Sequence, residues 1–322
     1  MTKKELKITK EAAGGRLDVF LRSHYPEFSR SWIKKLIKKG NARINGRIAS
    51  ASKKLTTSQV VQFDLELPPE ISLEPDRSLG DKIKIVFENE DFLVIDKSAG
   101  ISVHPSASEY KGTLVNWLLY HYPPIKSVGD PAPFALAKGA GLRPGLVHRL
   151  DKETSGLMVV AKNPKMFIWL KNQFKKHRVV KKYLALVNGN PAVDNGQMDS
   201  NIVRSRSDPT KNTVSRSKTL GRTALTFWKV LKRYAGYTLL EVTPKTGRMH
   251  QIRVHLKSIG LPVSGDKKYT SGKSQNPKHL GRMFLHAAYL SFVLASGEKF
   301  SFNSPLPSEL ESALRNLPFM IK

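Results

Sequence analysis

Asp151 lies in the stretch RPGLVHRLDKETSGLMVVAKN, residues 143–163. An apolar lead-in, Gly145, Leu146 and Val147, precedes it, and the apolar run Leu157 to Val160 follows. Apolar runs bounded by turn residues read as strands. The polar segment between them, His148 to Gly156, then reads as a loop held by rigid strands, where chemistry tends to sit. A carboxylate in such a loop has two chemical uses, as nucleophile and as general base. Arg149 stands just before it, and the hydroxyls of Thr154 and Ser155 just after. Asp, Thr, Ser and Gly are also ordinary turn formers, so the segment taken alone is satisfied by a simple turn.

A second position with chemical content is KTGRMHQIRVHLKSIG, residues 245–260. Gly247 breaks a strand there. Met249, Ile252, Leu256 and Ile259 fall on one helical stripe with Arg253 at its edge. A cation bordering a buried stripe calls for a buried anion; the alternative is that Arg253 snorkels to water. His250 and His255 do not share a helix face as the i, i+4 pair of a zinc helix does. His148 with Asp151 has no third ligand in view. A metal-dependent hydrolase is the weaker reading, and no metal is expected.

These positions need a scaffold. From residue 81 the chain reads as strands with a few helices. Ile83 to Phe87 and Phe92 to Ile95 form a hairpin, Thr113 to Tyr122 an apolar-periodic helix, and residues 123–145 a long loop rich in Pro, Gly and Ala. Asn163-Pro164 starts a helix, with a cap and a first-turn proline, that runs to about His177. VVKKYLALVNG is a strand carrying Tyr183. Asp194 to Arg222 is polar and basic, with Arg204, Arg206, Lys211, Arg216, Lys218 and Arg222, and reads either as a solvated loop or as an RNA-contacting excursion. ALTFWKVL and YTLLEVTP pair across Gly236. LHAAYLSFVL and a helix from Ser308 to Leu317 complete the chain.

Residues 14–67 read as a separate small module. Arg16 to His24 is helical, with Leu17, Phe20 and Leu21 on one face. Ser29 caps a second helix in which Trp32, Ile33, Leu36 and Ile37 are apolar and Gly40 marks the end. Arg30, Lys34, Lys35, Lys38 and Lys39 fill the remaining surface, a stripe without an acidic residue in it. Asn45-Gly46 is a hairpin signal, and Val60 to Leu67 is a closing strand. Residues 68–80, PPEISLEPDRSLG, read as a linker.

Composition limits the partners. The chain has 322 residues, 40% of them hydrophobic, enough for one large domain or two with a substantial core. Lys plus Arg number 54 against 26 Asp plus Glu, a formal charge of +28, which attracts phosphate backbones. The basic residues are spread along the chain rather than gathered on one amphipathic segment, which favours nucleic acid over membrane. The chain has 0 cysteines, which excludes disulfides and thiolate chemistry and fits a reducing cytoplasm. The N-terminus MTKKELKITKE lacks the apolar core of a signal peptide. No run approaches the ~20 apolar residues of a spanning helix. A soluble cytoplasmic protein, acting as a monomer, is expected.

Four strings stand in one order: DKSAGISVHP, HRLDKETSG, KKYLALV and TGRMHQIRVHL. Together they resemble the motifs of the RluA-type pseudouridine synthases. GRLDVFLRSHYPEFSRSWIKKLIKKGNARINGR resembles the RNA-binding domain named after a ribosomal small-subunit protein. In this chain Ser98 replaces a proline usual in the first motif, and TKNTV lacks the Lys/Arg-Met pair usual in the basic segment. The resemblance implies an α+β protein: a small α/β RNA-binding domain at 1–67, a linker at 68–80 and a catalytic domain at 81–322 built on a mixed, mostly antiparallel sheet. It implies isomerisation of specific uridines in RNA, with large-subunit ribosomal RNA the first choice and transfer RNA the alternative. No cofactor is expected, because uracil is detached, turned and rejoined through carbon without redox change.

Residue roles follow from the same resemblance. Asp151 is the catalytic carboxylate, as nucleophile or base, and Arg253 its ion-pair partner. Tyr183 offers a flat face and a hydroxyl. Ile252 lines the opposite side, His148 lies on the substrate side, and Arg149 fills the space left by an extruded base. Arg16, Arg30, Lys34, Lys38 and Asn45 grip an RNA helix, by shape more than sequence. The rival reading is a non-catalytic RNA-binding assembly factor, for which the charge and the N-terminal module suffice.

Overall fold

The structure, a computed structural model, describes residues 2–26, 28, 30–66, 74–105, 109, 111–129, 143–205, 207–208, 210–215, 217, 219–270, 276–278 and 280–318. The expected Ser29 cap, the last residue of the expected closing strand, residues 68–73 of the linker, residues 130–142 of the long loop, and Arg206, Arg216 and Lys218 lie outside the described residues. Two compact units make up the chain. One comprises Met1–Glu74, His104–Tyr110 and Gly129–Pro144, the other Pro75–Val103, Lys111–Val128 and Gly145–Lys322.

The first unit contains β1 (Thr2–Lys7), α1 (Leu17–His24), α2 (Arg30–Lys38), β2 (Ala42–Ile44), β3 (Arg47–Ile48) and β4 (Val60–Leu65). The strands form a four-stranded antiparallel sheet in the order β1-β4-β2-β3. Leu17 and Leu21 of α1, Ile33 and Leu36 of α2, and Val61 and Phe63 of β4 are buried together in its core. The turn between β2 and β3 has positive φ at both Asn45 (49°) and Gly46 (81°). This is the twist-matched conformation that an Asn-Gly pair adopts at least cost. Strand β1 was not legible: TKKELK is mostly charged and is ordered by its backbone ladder to β4.

The second unit is built on a nine-stranded sheet. Its elements are β5 (Ile83–Glu88), β6 (Phe92–Lys97), α3 (Leu114–His121), β7 (Ser155–Ala161), α4 (Pro164–Lys175), β8 (Val180–Asn188), β9 (Asn195–Asp199), β10 (Ile202–Arg204), β11 (Asn212–Val214), β12 (Leu225–Tyr234), β13 (Tyr237–Pro244), α5 (Gln251–Ser258), β14 (Leu285–Val293), β15 (Lys299–Asn303) and α6 (Ser308–Arg315). The strand order is β5-β6-β7-β14-β8-β13-β12-β9, with β15 pairing β14 and with β10 and β11 forming a separate hairpin. Among the described residues only β7 and β14 run parallel, and the other ladders are antiparallel. Every residue of β7, SGLMVVA, is buried, as befits a central strand that reads as a continuous apolar run. The Asn163 side chain accepts from Met166 N–H at 2.9 Å, and Pro164 takes the first position of α4.

The expected linker ends early. Asp76 N–H donates to Asn116 O at 3.0 Å, and the Asp76 carboxylate accepts from Gly112 N–H at 3.1 Å, so residues 75–80 belong with the second unit. Within the basic segment 194–222, residues 195–199, 202–204 and 212–214 are strands rather than solvated loop: β9 pairs with β12, and β10 with β11. Such edge strands are held by main-chain hydrogen bonds rather than by apolar alternation. Among the described residues no helix is long and apolar enough to cross a membrane.

Candidate active site

The loop carrying Asp151 is fixed from several sides. Thr154 N–H donates to Asp151 O at 3.1 Å, closing a turn. Lys97, at the end of β6, is fully buried and donates to the carbonyls of Ser98 (2.9 Å), Ile101 (3.1 Å) and Lys152 (3.3 Å). Burial, with the charge of Arg282, pushes its ammonium down to about 7. The Ser155 hydroxyl bonds His286 Nδ1 at 2.9 Å and accepts from Arg282 at 2.8 Å. Gly156, with φ +114°, is obligatory: a Cβ there would run into the Ala287 backbone of β14. The Asp151 side chain remains 19% exposed, open to a reactant while its backbone is clamped.

Arg253 of α5 reaches this carboxylate. Its Nη1 donates to Asp151 Oδ2 at 2.9 Å. The rest of the guanidinium is taken by Asp266, with Nε to Oδ2 at 2.7 Å and Nη2 to Oδ1 at 2.8 Å. Arg253 is 8% exposed and Asp266 1%. Burial alone would lower the arginine pKa, but Asp266 and Asp151 more than offset it and raise it. The reading of Arg253 as a snorkelling surface group is thereby corrected. So is the stripe proposed for its helix: α5 starts only at Gln251, and Met249 and Ile259 are 39% and 43% exposed. The helix is instead buried from Gln251 to Leu256, because it lies inside the fold rather than on its surface.

Asp266, Tyr269 and Gln251 were not singled out from the sequence. The one signal was the anion that Arg253 demanded; its second carboxylate follows Gly265, which has φ +76° and a backbone too close to Arg282 for any side chain. Tyr269 lies under Arg253, whose Cζ is 5.0 Å from the ring centroid. Gln251 fastens the start of α5 to β12 by donating to Leu225 O (3.0 Å) and Thr226 Oγ1 (2.9 Å). His250 Nε2 stands 3.9 Å from Asp151 Oδ2, and His255 Nδ1 bonds Thr226 Oγ1 at 2.9 Å.

Tyr183 of β8 is buried, and burial together with the charge of Asp151 raises its phenol pKa, so it stays protonated. Ile252 is buried beside Arg253 in α5, and Arg149 is exposed. His148 departs from its expected place on the substrate side. Its Nε2 accepts from Val159 N–H at 3.0 Å, its ring stacks on Phe174 at 4.5 Å, and burial with the Lys181 charge drives its pKa down to about 3. It is a neutral pin between the loop and β7.

In the first unit the basic stripe has an acid after all. Buried Asp18 of α1 pairs with Arg16 Nε at 3.0 Å, Arg30 Nη2 at 2.9 Å and Lys34 Nζ at 3.4 Å. Burial raises the Asp18 pKa, but the two arginines outweigh it and hold it below the usual carboxylate range. One carboxylate against three cations leaves the cluster positive and fixes its geometry. Lys38 is exposed, whereas Asn45 uses its Oδ1 internally, accepting from Val60 N–H at 2.9 Å.

The chain thus combines a mixed sheet that presents a carboxylate on a clamped loop with a separate basic module. Sequence comparison makes that specific. The RNA pseudouridylate synthase family matches residues 91–258, and the S4 domain matches residues 15–61. An uncharacterized RNA pseudouridine synthase of Aquifex aeolicus is 42% identical over 85% of this chain and 83% of its own. The ribosomal large subunit pseudouridine synthase D of Zymomonas mobilis is 34% identical over 98% of both chains. The solved structure of human RNA pseudouridylate synthase domain containing 1 superposes with a TM-score of 0.58 at 27% identity, covering 79% of this chain and 91% of that one. The chain belongs to the RluA-type RNA pseudouridine synthases, isomerases that here carry an N-terminal RNA-binding S4 domain.

The S4 domain gives a first prediction. Deleting residues 1–74, the continuous part of the first unit, is expected to weaken binding to structured RNA and to flatten its salt dependence. Each lost phosphate contact should remove about 0.7–0.9 from the slope of log affinity against log salt. Equal slopes for full-length and shortened protein would show that Arg16, Arg30, Lys34 and Lys38 neutralise no phosphate.

Proposed function

We propose that this enzyme isomerises uridine in large-subunit ribosomal RNA, with Asp151 as the reacting carboxylate. The observation that carries the reading is the 2.9 Å pair between Asp151 and an Arg253 braced by Asp266. The pair aims the carboxylate and sets a cation beside it, the placement that both nucleophilic and general-base chemistry require. In the reaction the N1–C1′ bond of uridine breaks and a C5–C1′ bond forms. C5 gives up its proton and N1 gains one, so nothing is oxidised or reduced. The protonated Tyr183 supplies an apolar ring for the reacting uracil and a hydroxyl that can exchange a proton. Ile252 walls the opposite side. The target must leave its helix to reach Asp151, and exposed Arg149 is the residue that takes the vacated space.

The RNA class rests on the Zymomonas mobilis relative, whose likeness runs over nearly the whole of both chains. Mapping pseudouridines in cellular ribosomal and transfer RNA, with and without this protein, tests it. Loss at one or a few large-subunit uridines is expected. Loss confined to transfer RNA, or none at all, would contradict the assignment. The protein is further proposed to act as a monomer.

A further inference from the structure

Tyr269 has no part in the scheme above, yet it is 3% exposed and joined to the site on two sides. Its ring supports the Arg253 guanidinium. Its hydroxyl accepts from Asn212 N–H of β11 at 2.8 Å and stands 2.8 Å from His250 Nδ1. A phenol has one hydrogen. Among the described residues the acceptor placed to take it is His250 Nδ1; with the phenol as donor, that nitrogen is bare and the imidazole hydrogen lies on Nε2. That nitrogen is the one 3.9 Å from Asp151 Oδ2.

His250 is held in place at a cost. Its backbone is left-handed, with φ 57° and ψ 21°, which a non-glycine residue adopts only where its surroundings impose it. Asn212 Nδ2 donates to Met249 O at 2.7 Å and ties the same hairpin strand to the residue just before it. Lys268 Nζ donates to Thr210 O at 3.0 Å, tying the hairpin to the segment that carries Tyr269.

We infer that Tyr269 is a positioning residue that holds His250 as a neutral imidazole, with its Nε2 hydrogen directed at Asp151. This rests on Asp151 being the reacting carboxylate. The titratable groups facing His250 are Asp151 from the central loop, Arg253 from α5, and Asp266, Lys268 and Tyr269 from the segment after it. Burial and the two cations disfavour the imidazolium, the two carboxylates favour it, and the balance lowers the His250 pKa. Protonation would place a hydrogen on Nδ1 against the phenol hydrogen. It would also add a cation beside Asp151 in competition with the reacting uridine.

The test is nitrogen-15 NMR of the imidazole in the full-length protein and in Tyr269→Phe, alongside kcat and KM over pH. Wild type is expected to show the neutral Nε2–H form at neutral pH. In Tyr269→Phe the tautomers should mix and His250 should titrate at higher pH. The kcat should fall about tenfold with KM within about twofold, the pattern of a lost interaction that acts in the chemical step. Because His250 must stay neutral, the acidic limb of activity should move to higher pH. An Nδ1–H form or an imidazolium in wild type at neutral pH would overturn the inference. So would a Tyr269→Phe enzyme whose acidic limb does not move, even if its rate falls. The spectra need no turnover, so they stay decisive if Asp151→Asn proves active and the assignment of Asp151 itself fails.

Discussion

Replacing Asp151 by asparagine is expected to abolish turnover while leaving the protein folded and its RNA affinity within a few fold. The amide keeps the shape of the side chain and removes its charge. The fold tolerates this because Arg253 is not orphaned: Asp266 still takes two hydrogen bonds, at 2.7 and 2.8 Å. The hydrogen bonds that clamp the loop at Lys97, Thr154 and Ser155 also run to groups other than the Asp151 carboxylate. An amide is neither a useful base nor a nucleophile, so the rate should fall by a factor of at least about 1,000, or roughly 4 kcal/mol of barrier. A purified Asp151→Asn enzyme keeping a hundredth of the wild-type rate would contradict the role given to Asp151.

Arg253→Met should lower both rate and stability. It leaves Asp151 and Asp266 without their shared cation in a site where Asp266 is 1% exposed. Breaking a buried pair from one side costs on the order of 3–5 kcal/mol, which thermal unfolding would report as a clear fall in Tm. Turnover should drop about a hundredfold or more, since the carboxylate loses its aim as well as its counter-charge. Arg253→Lys separates the two effects. Lysine restores a positive charge but cannot serve two carboxylates with a planar fork. It should recover much of the stability and little of the rate. An Arg253→Met enzyme with wild-type Tm and wild-type turnover would show that the pair is incidental.

What the sequence revealed and what it hid divide along physical lines. Local chemistry was legible. Asn45-Gly46 announced its turn and Asn163-Pro164 its helix start, because each works through its own backbone. The Asp151 loop was legible because apolar runs bracket it, although only the run after it is a strand: the expected lead-in strand is reduced to an isolated bridge from Leu146 to Val160. Arg253 announced a missing anion through its place beside apolar neighbours, but not that it takes two. Asp266 and Tyr269 were silent because their meaning lies in contacts made by tertiary packing: Tyr269 acquires its role from Asn212, Arg253 and His250 together. Asp18 was missed as the acid of the basic stripe because it lies on the neighbouring helix. His148, next to the loop in sequence, is turned to β7 and Phe174. Strands β9 to β11 were hidden because a ladder of main-chain bonds leaves little mark on side-chain pattern.

The central claim is that uridine isomerisation runs through the Asp151 carboxylate held by Arg253. Its most direct measurement is single-turnover release of tritium from RNA carrying uridine labelled at C5, with enzyme in excess. That proton must leave when C5 is joined to the ribose, so its release counts the chemistry itself and not product dissociation. Wild type should release tritium in proportion to target uridine in one rapid phase. Asp151→Asn, shown by a binding assay to hold the same RNA, should release none over the same period. Stoichiometric release by Asp151→Asn would contradict the claim.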